Sequence, residues 1–385
     1  MARSSRRRVE TIVVGALTLA LGVLAFTHQG VPAAELELND GGIWVTNQSK
    51  LLIGHFNYPS QTLDGGLRAA AAGFDVSQAG TDVLVTSPDV VQPLDTATVS
   101  FLGETSVAGI DVEHGPGLVL FADAALGAVW ASTTEAAAGF SPSAEPTLKD
   151  LDQPRIAVGT DGTGYVLTAD GALRGIHGSG SQAVVTDLGR AVDAQPSRDA
   201  QLTVVGDQVV VLDGSRLSVG GEVLDDPALT GGLLQQPSGT ASEVVVATRA
   251  ALLRVDLDGL DIARQDVPSG APARPVALDG CVYGLWGESG FYVRDCPSTA
   301  LDQAAQFPEL AGARAPVFRT NRKVIVINDM VTGVVYLPLK SMLRVDNWDL
   351  ISAELNEQEK ESEDSDQTEL SQIQEFSDEQ HAPEA

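Results

Sequence analysis

The sequence predicts an all-β protein, a β-propeller of about eight blades, on three observations. Short runs rich in Val, Ile and Leu, bounded by Gly, Asp and Asn, fill the middle of the chain and are typical of strands joined by tight turns. Leu202–Val219 (LTVVGDQVVVLDGSRLSV) shows the pattern most clearly, with three strands and an Asp213-Gly214 turn. Similar hairpins recur at about 35–46 residues, and no helical periodicity separates them.

Eight hairpin cores follow one another along the chain. In order, the paired segments are Gly42–Asn47 with Leu51–Phe56, Thr81–Thr86 with Thr98–Leu102, Gly117–Phe121 with Gly127–Trp130, Gly164–Leu167 with Leu173–Ile176, Gln208–Leu212 with Leu217–Val219, Glu243–Thr248 with Leu252–Leu257, Cys281–Trp286 with Phe291–Arg294, and Lys323–Asn328 with Gly333–Leu337. A unit this small cannot bury both faces alone, so its neighbours must stack on it.

A period near 40 residues, with about four short strands in each copy, favours propeller blades. Seven blades are the alternative count. A string of β-sandwich domains would repeat at about 100 residues, and a β-helix at half the observed period or less, so both fit worse. The propeller is expected to span residues 35–345, with its first and last blades closing the ring.

The charge of the chain restricts its partners. The 385 residues carry a formal net charge of −28. A nucleic-acid-binding protein needs a basic surface to displace counterions from phosphates, so nucleic acid is not an expected partner. An acidic surface favours solubility and attracts cations or basic partners.

The amino terminus predicts export across a membrane. Residues 1–10 are basic, with Arg3 and Arg6–Arg8, and Thr11–Phe26 is an uncharged apolar run. Because positive residues stay in the cytoplasm, the rest of the chain is expected outside it. We predict a signal anchor, a transmembrane helix over residues 11–30, and hence a single-pass membrane protein. A signal peptide cleaved after Val31-Pro32-Ala33 is the alternative, since the apolar run is short for a span.

The two cysteines are expected to form a disulfide. In CVYGLWGESGFYVRDC, a Gly287–Gly290 hairpin loop pairs Trp286 with Phe291 and places Cys281 directly opposite Cys296. Directly opposed residues of an antiparallel pair lie within reach of a disulfide, and an exported location permits oxidation. Two reduced buried thiols are the alternative. A metal site lacks further ligands nearby.

The carboxyl-terminal segment differs in composition from the rest. Residues 350–385 are acidic and rich in Ser and Gln, with few apolar side chains, so we expect a disordered tail or linker. A helical stretch around Glu369–Phe376 has no capping residues to support it.

No motif in the sequence predicts catalysis. His28, His55, His114, His177 and His381 show no metal-binding spacing, and ordinary loop or strand histidines are favoured; the alternative is that His55, His114 and His177 converge on a central channel. Asp256–Asp261 resembles a calcium loop but lacks the remaining ligands, so a plain Asp-Gly turn is favoured. We therefore assign no catalytic residue, no cofactor and no metal ligand from the sequence.

Several segments resemble one family. Leu38–Asp64 (LNDGGIWVTNQSKLLIGHFNYPSQTLD), Gly280–Cys296 and the Asn347-Trp348-Asp349 step into the acidic segment are similar to the amino-terminal part of actinobacterial surface proteins with fibronectin type III or Ig-like domains. The resemblance implies a membrane-anchored propeller followed by Ig-like repeats, which are absent from this chain. It implies no catalytic residues.

The expected function is a binding or scaffold module at the bacterial cell envelope, with an envelope protein or glycan as partner. A propeller recruits partners through its loops and needs no chemistry to do so. The alternative is a propeller enzyme that acts on envelope glycans or small molecules, with a metal at the central channel. The sequence does not indicate an oligomeric state.

Overall fold

A computed structural model describes residues 41–192 and 196–360, and its strands form eight antiparallel sheets. Each sheet is built from strands that are consecutive in the chain, and the first strands of neighbouring sheets pack together around a centre. This is a β-propeller of eight blades, as the hairpin repeat predicted.

The first four blades are these. Blade 1 contains β1 (Gly42–Asn47), β2 (Leu52–Asn57) and β3 (Thr62–Arg68); blade 2 contains β4 (Asp75–Ala79), β5 (Asp82–Thr86), β6 (Val90–Asp95), β7 (Ser100–Phe101) and β8 (Thr105–Ser106); blade 3 contains β9 (Asp111–Gly115), β10 (Leu118–Asp123) and β11 (Ala128–Ser132); blade 4 contains β12 (Arg155–Val158), β13 (Gly164–Leu167), β14 (Ala172–His177) and β15 (Val184–Arg190).

The other four blades have four strands each. Blade 5 contains β16 (Gln201–Val205), β17 (Gln208–Asp213), β18 (Arg216–Val219) and β19 (Glu222–Asp225); blade 6 contains β20 (Leu233–Leu234), β21 (Glu243–Ala247), β22 (Ala251–Asp256) and β23 (Ile262–Asp266); blade 7 contains β24 (Val276–Leu278), β25 (Cys281–Trp286), β26 (Phe291–Asp295) and β27 (Gln303–Gln306); blade 8 contains β28 (Pro316–Asn321), β29 (Val324–Asp329), β30 (Val335–Leu337) and β31 (Leu343–Val345). Short 3-10 helices lie at Glu135–Gly139, Gly180–Gln182, Pro227–Leu229, Thr299–Leu301 and Pro338–Lys340.

The inner strands of the sheets are buried on both faces, which explains their continuous apolar runs. In β17, Val209 and Val211 pack toward blade 4, whereas Val210 and Leu212 pack toward blade 6. A strand buried on one face only would alternate apolar and polar residues, but a strand between two other blades does not need to. Stacking thus supplies the burial that no blade achieves alone.

One predicted hairpin partner is wrong. β5 pairs with β6 (Val90–Asp95), not with Thr98–Leu102. Pro93 lies within β6, and a proline makes a run look unlike a strand, so the sequence pattern passed over this segment. The Thr98–Leu102 region supplies the short outer strand β7 instead.

The carboxyl-terminal prediction needs a correction, because residues 348–360 are helical. We call this segment the closing helix. Trp348 and Ile351 are buried in the apolar cluster between blades 8 and 1, and Leu355 packs against that cluster. This helical spacing of apolar residues anchors an otherwise acidic segment. The expected disordered tail over residues 350–385 is therefore wrong for residues 350–360, and the remainder lies outside the described residues.

The predictions for the amino terminus, residues 1–10 and 11–30, also fall outside the described residues, as do residues 35–40 of the expected propeller and the suggested helix at Glu369–Phe376. Within residues 41–192 and 196–360, no helix has both the length and the hydropathy of a membrane span.

Candidate functional site at the ring centre

The first strands of the blades bring polar side chains to the ring centre. Asp111, Glu113 and His114 are on β9, Arg155 begins β12, and Arg319 is on β28. A set of charged and polar side chains on the first strands of several blades, around one axis, marks the candidate site.

Arg274 and Glu113 belong to blades 7 and 3, which stand opposite each other in a ring of eight. Arg274, just before β24, donates from Nε to the carbonyl oxygen of Leu234 at 2.9 Å and from Nη2 to that of Leu202 at 3.3 Å. Its side chain thus connects blade 7 to blades 6 and 5.

Glu113 reaches solvent, but the ring surrounds it. The pKa of its carboxyl group is raised to about 6: burial is the largest cause, Arg274 partly offsets it, and the nearby Asp111 contributes in the same direction as burial. Burial likewise lowers the pKa of the Arg274 guanidinium. A carboxyl group with a pKa near neutrality could exchange a proton with a bound ligand.

His114 lies beside Glu113 and bridges blades 2 and 3. Its Nδ1 is 2.9 Å from Ser77 Oγ, and its Nε2 is 3.4 Å from Thr134 Oγ1. Burial lowers the pKa of His114 to about 4, partly offset by Asp82, so the imidazole is neutral near pH 7. Its neighbours are hydroxyl groups, which fits a positioning role within the ring.

Two further arginines fill the centre and bind backbone oxygens. Arg319 donates to the carbonyl of Val76 and pairs with Asp75, both in blade 2. Arg155 donates from Nη1 to the carbonyl of Ala200 at 2.8 Å and also to Ser197. These two guanidinium groups are therefore engaged by the protein itself, whereas Asp111 and Glu113 in the same region remain accessible to solvent.

The described residues contain no group of three or more His, Cys, Asp or Glu side chains that could hold a metal ion. The suggestion that three histidines converge on the channel is wrong. Only His114 is on a first strand; His55 is on β2, where its Nδ1 pairs with Asp64 at 2.6 Å, and His177 is at the end of β14.

Asp256–Asp261 forms a turn between β22 and β23. Asp256 accepts hydrogen bonds from the backbone amides of Asp258 (2.9 Å) and Gly259 (2.6 Å). A carboxylate that bonds to its own turn is ordinary Asx-turn chemistry, which agrees with the Asp-Gly turn that the sequence favoured.

The predicted disulfide is confirmed. Cys281 and Cys296 are bonded, with Cα atoms 4.1 Å apart, and the β25–β26 register pairs Trp286 with Phe291 as the hairpin count required. The bond ties the two strands of one hairpin of blade 7.

Of the ring-centre residues, the sequence pointed only to His114; Glu113 and the three arginines were not predicted, although a signal was present. Charged residues stand in or directly beside short apolar segments in DVEHG, ARPVAL and VFRTN. The apolar hairpin pattern indicates mainly the second and third strands of each blade, and it carries little information on these polar first strands.

Comparisons with known proteins agree on the fold alone. No protein-family model matches the chain, and no curated protein matches it. A solved structure of the dihydro-heme d1 dehydrogenase NirN in complex with DHE is similar with a TM-score of 0.54 and 12% identity, covering 80% of this chain and 72% of that one. BamB from Moraxella catarrhalis is similar with a TM-score of 0.50 and 13% identity, covering 77% and 93%.

Proposed function

We propose that this chain is a membrane-anchored, extracytoplasmic β-propeller that serves as a binding or scaffold module at the bacterial cell envelope, with an envelope protein or glycan as its partner. The observation that carries the binding role is the structural use of the arginines at the ring centre. Arg274, Arg319 and Arg155 are tied there to backbone carbonyls of neighbouring blades. Side chains engaged in this way hold the blades together, which leaves the loops and faces of the ring for partners.

The extracytoplasmic location is supported by two features. The disulfide between Cys281 and Cys296 suits an oxidising compartment, because thiols are kept reduced in the cytoplasm. The basic residues followed by an apolar run at Thr11–Phe26 are typical of an exported chain. The sequence resemblance to actinobacterial surface proteins agrees with both.

The test of the binding role is a cross-linked pull-down from envelope extract, with the tagged full chain in mild detergent as bait. The matched control is Glu113→Gln, which alters the ring centre but no outer surface. Recovery of the same envelope protein or glycan by both forms supports a scaffold that acts through its faces. Recovery of no specific molecule would contradict the proposal.

The location is tested on whole cells with a membrane-impermeant protease and with thiol alkylation before lysis. Digestion of the propeller in intact cells, with Cys281 and Cys296 resistant to alkylation, is expected. A protected chain with two alkylated thiols would place the propeller in the cytoplasm.

An enzyme acting on envelope glycans or small molecules is the second candidate. The observation in its favour is Glu113, whose pKa near 6 suits proton transfer, opposite Arg274. NirN, which is similar to this chain in fold, is a dihydro-heme d1 dehydrogenase solved in complex with DHE. Loss of turnover of an envelope glycan in Glu113→Gln, with partner recovery also lost, would favour this candidate over the scaffold.

A further inference from the structure

The outer edge of blade 4 differs from the outer edges of the other blades. Its last strand, β15, has seven residues, and all of them are exposed. The outer strands β19, β23, β27 and β31 have only three to five residues. β3 is as long as β15, but the closing helix covers it through Asn347 and Glu359, and β11 is covered by Leu148, which bonds to Val129. An open strand edge accepts another strand, so proteins usually keep such edges short or covered.

The backbone of β15 is open on the side that faces away from β14. β15 ends its sheet, and within residues 41–192 and 196–360 its backbone makes no hydrogen bond to the backbone of any segment other than β14. The Gly189 amide donates to the side chain of Asp187 at 2.9 Å. The other outward amides and carbonyls can pair with an added strand.

The register turns three side chains of β15 toward blade 5. On β14, Leu173 belongs to the apolar cluster that blade 4 shares with blade 5, so Gly175 faces the same way. The partner of Gly175 on β15 is Thr186, and Val184 lies on the same side, two residues before it. Leu188 is on this side too, because a Cβ added to Gly175 would lie 3.3 Å from its Cδ1.

The outer strand of blade 5 presents Val223 to the same space. Val211 of β17 belongs to the cluster shared with blade 4, and its partner on β18 is Ser218. The partner of Ser218 on β19 is Val223, which therefore faces blade 4. We call the space between β15 and β19 the rim groove, and its lining residues are Val184, Thr186, Leu188 and Val223.

The rim groove is apolar and open to solvent. Val184, Leu188 and Val223 are 60%, 45% and 36% exposed. Among the described residues, the cluster between blades 4 and 5 includes none from β15 or β19, whereas the cluster between blades 5 and 6 extends outward to Leu224 and Ile262. Exposed apolar side chains beside an open strand edge are the surface that an added strand covers.

Charge favours a basic partner segment over a second copy of this chain. The 385 residues carry a formal net charge of −28, so two copies repel each other. The two strands that flank the rim groove carry three carboxylates, Asp187, Glu222 and Asp225, against one arginine, Arg190. The field at the groove therefore attracts a segment with positive charges.

We propose that the rim groove binds an extended, basic segment of the envelope partner, which adds to β15 as a fifth strand of blade 4. This inference rests on the proposed binding role and names the surface that performs it. The backbone of the segment pairs with β15, and every second side chain enters the groove to cover Leu188 and Val223.

The test uses labelled synthetic peptides and the full chain in mild detergent. KVTVTVK should bind, as measured by fluorescence anisotropy, and should slow amide hydrogen exchange in residues 184–190. KVTPTVK has the same charge but cannot complete the ladder, and EVTVTVE has the opposite charge, so both should bind at least about tenfold more weakly. Failure of KVTVTVK to bind, equal binding of all the peptides, or protection only outside residues 184–190 would overturn the inference.

Variants on both sides of the rim groove locate the site independently. Leu188→Lys and Val223→Lys each place a cation in the groove and should weaken the binding of KVTVTVK about tenfold. The control is Leu126→Lys, in the turn between β10 and β11 of blade 3, where the leucine is 63% exposed; it should leave the affinity unchanged. Thermal midpoints verify that each variant is folded. Equal affinities of the variants at Leu188, Val223 and Leu126 would contradict the assignment.

The envelope pull-down separates this inference from the proposed function. Loss of the partner in Leu188→Lys but not in Leu126→Lys is expected. Equal recovery of one envelope molecule by wild type and Leu188→Lys would overturn the rim groove and leave the binding role intact. A dimer in sedimentation that Leu188→Lys abolishes would show that a second copy occupies the groove, which would overturn the inference as well.

Discussion

The interface between blades 8 and 1 differs from the interface between blades 5 and 6. At the 5/6 interface, Gln201 donates to the Gly232 carbonyl at 2.7 Å and accepts from the Leu234 amide at 2.8 Å, above an apolar cluster. At the 8/1 interface, Asn328 makes a similar double contact with Thr46, but Asn321 and the closing helix are added. The closing interface thus includes a helix, an element that the 5/6 interface does not have.

Chain connectivity explains the difference. Blades 5 and 6 are joined by a short connection, so the cost of bringing them together is small. Blades 8 and 1 are far apart in sequence and must associate through non-covalent contacts alone. Trp348 donates from Nε1 to the Gly333 carbonyl at 2.7 Å, and Asn347 binds the Leu63 amide and carbonyl at 3.0 and 2.9 Å. The closing helix therefore stabilises the interface between blades 8 and 1, which no short connection of the chain holds together.

The largest effect is expected from Trp348→Ala. Trp348 is 1% exposed, and its ring fills the space above Gly54, where an added Cβ would lie 2.7 Å from the indole. Its loss should reduce the free energy of unfolding by about 3–5 kcal/mol, measured by urea denaturation. Leu350→Ala, two residues away and 68% exposed, is the control and should change little. Equal effects of both would mean that the helix does not fasten the ring.

Loss of the disulfide is expected to have the second-largest effect on the free energy of unfolding. The bond stabilises one hairpin of blade 7 and does not join blades 8 and 1. Cys281 and Cys296 are 15 residues apart. Replacing both by Ala should cost about 2–4 kcal/mol of unfolding free energy, through the greater freedom of the unfolded chain. Reduction of the wild-type protein should reproduce the loss. A cost above that of Trp348→Ala would reverse the ranking of the two regions.

A direct comparison of the two interfaces is given by Asn328→Ala and Gln201→Ala. Asn328 is fully buried, so its loss leaves the Thr46 backbone groups unpaired away from water and should cost about 1–3 kcal/mol. Gln201 is only partly buried, and water can replace its amide, so about 1 kcal/mol is expected. Both costs are read from denaturation midpoints. If Gln201→Ala were the more damaging, the closing interface would not depend on its amides.

The sequence predicted the parts of the molecule that local patterns determine. Apolar runs with Asp-Gly turns indicated eight blades, and the hairpin count from Gly287–Gly290 indicated the Cys281–Cys296 bond. Both depend on residues close together in the chain. The β5 partner was missed because Pro93 interrupts the pattern of β6.

The closing helix and the ring centre depend on contacts between distant residues, and composition does not reveal these. The composition of residues 350–360 predicts disorder, but in the structure Trp348 and Ile351 pack into the cluster between blades 8 and 1, and this packing orders the helix. Likewise, Glu113 and Arg274 are 161 positions apart by their numbering and meet only because blades 3 and 7 face each other. The spacing of these two residues in the sequence does not indicate that they lie near each other.

The smallest effect is expected at the ring centre, from Glu113→Gln. The folded-state pKa of about 6 lies above the ordinary value of 4.5, so the folded chain binds more protons between these pH values. The contribution of Glu113 to stability is therefore present below pH 4.5 and is lost as pH rises through 6. Removing the charge should stabilise the protein at pH 7.5 by about 1 kcal/mol or less, because the solvent-accessible carboxylate is screened.

The advantage of Glu113→Gln should vanish at pH 4.5, where wild-type Glu113 is protonated in the folded state. His114 affects stability in the opposite direction, because its lowered pKa makes the free energy of unfolding fall as pH drops from 6.5 toward 4. The measurement therefore compares the free energy of unfolding of the variant with that of the wild type at each pH. Asp89→Asn, on an exposed turn of blade 2 away from β9, is the control and should show no such pH-dependent difference. A pH-independent difference between Glu113→Gln and wild type would show that the carboxyl group is not buried within the ring as its position on β9 indicates.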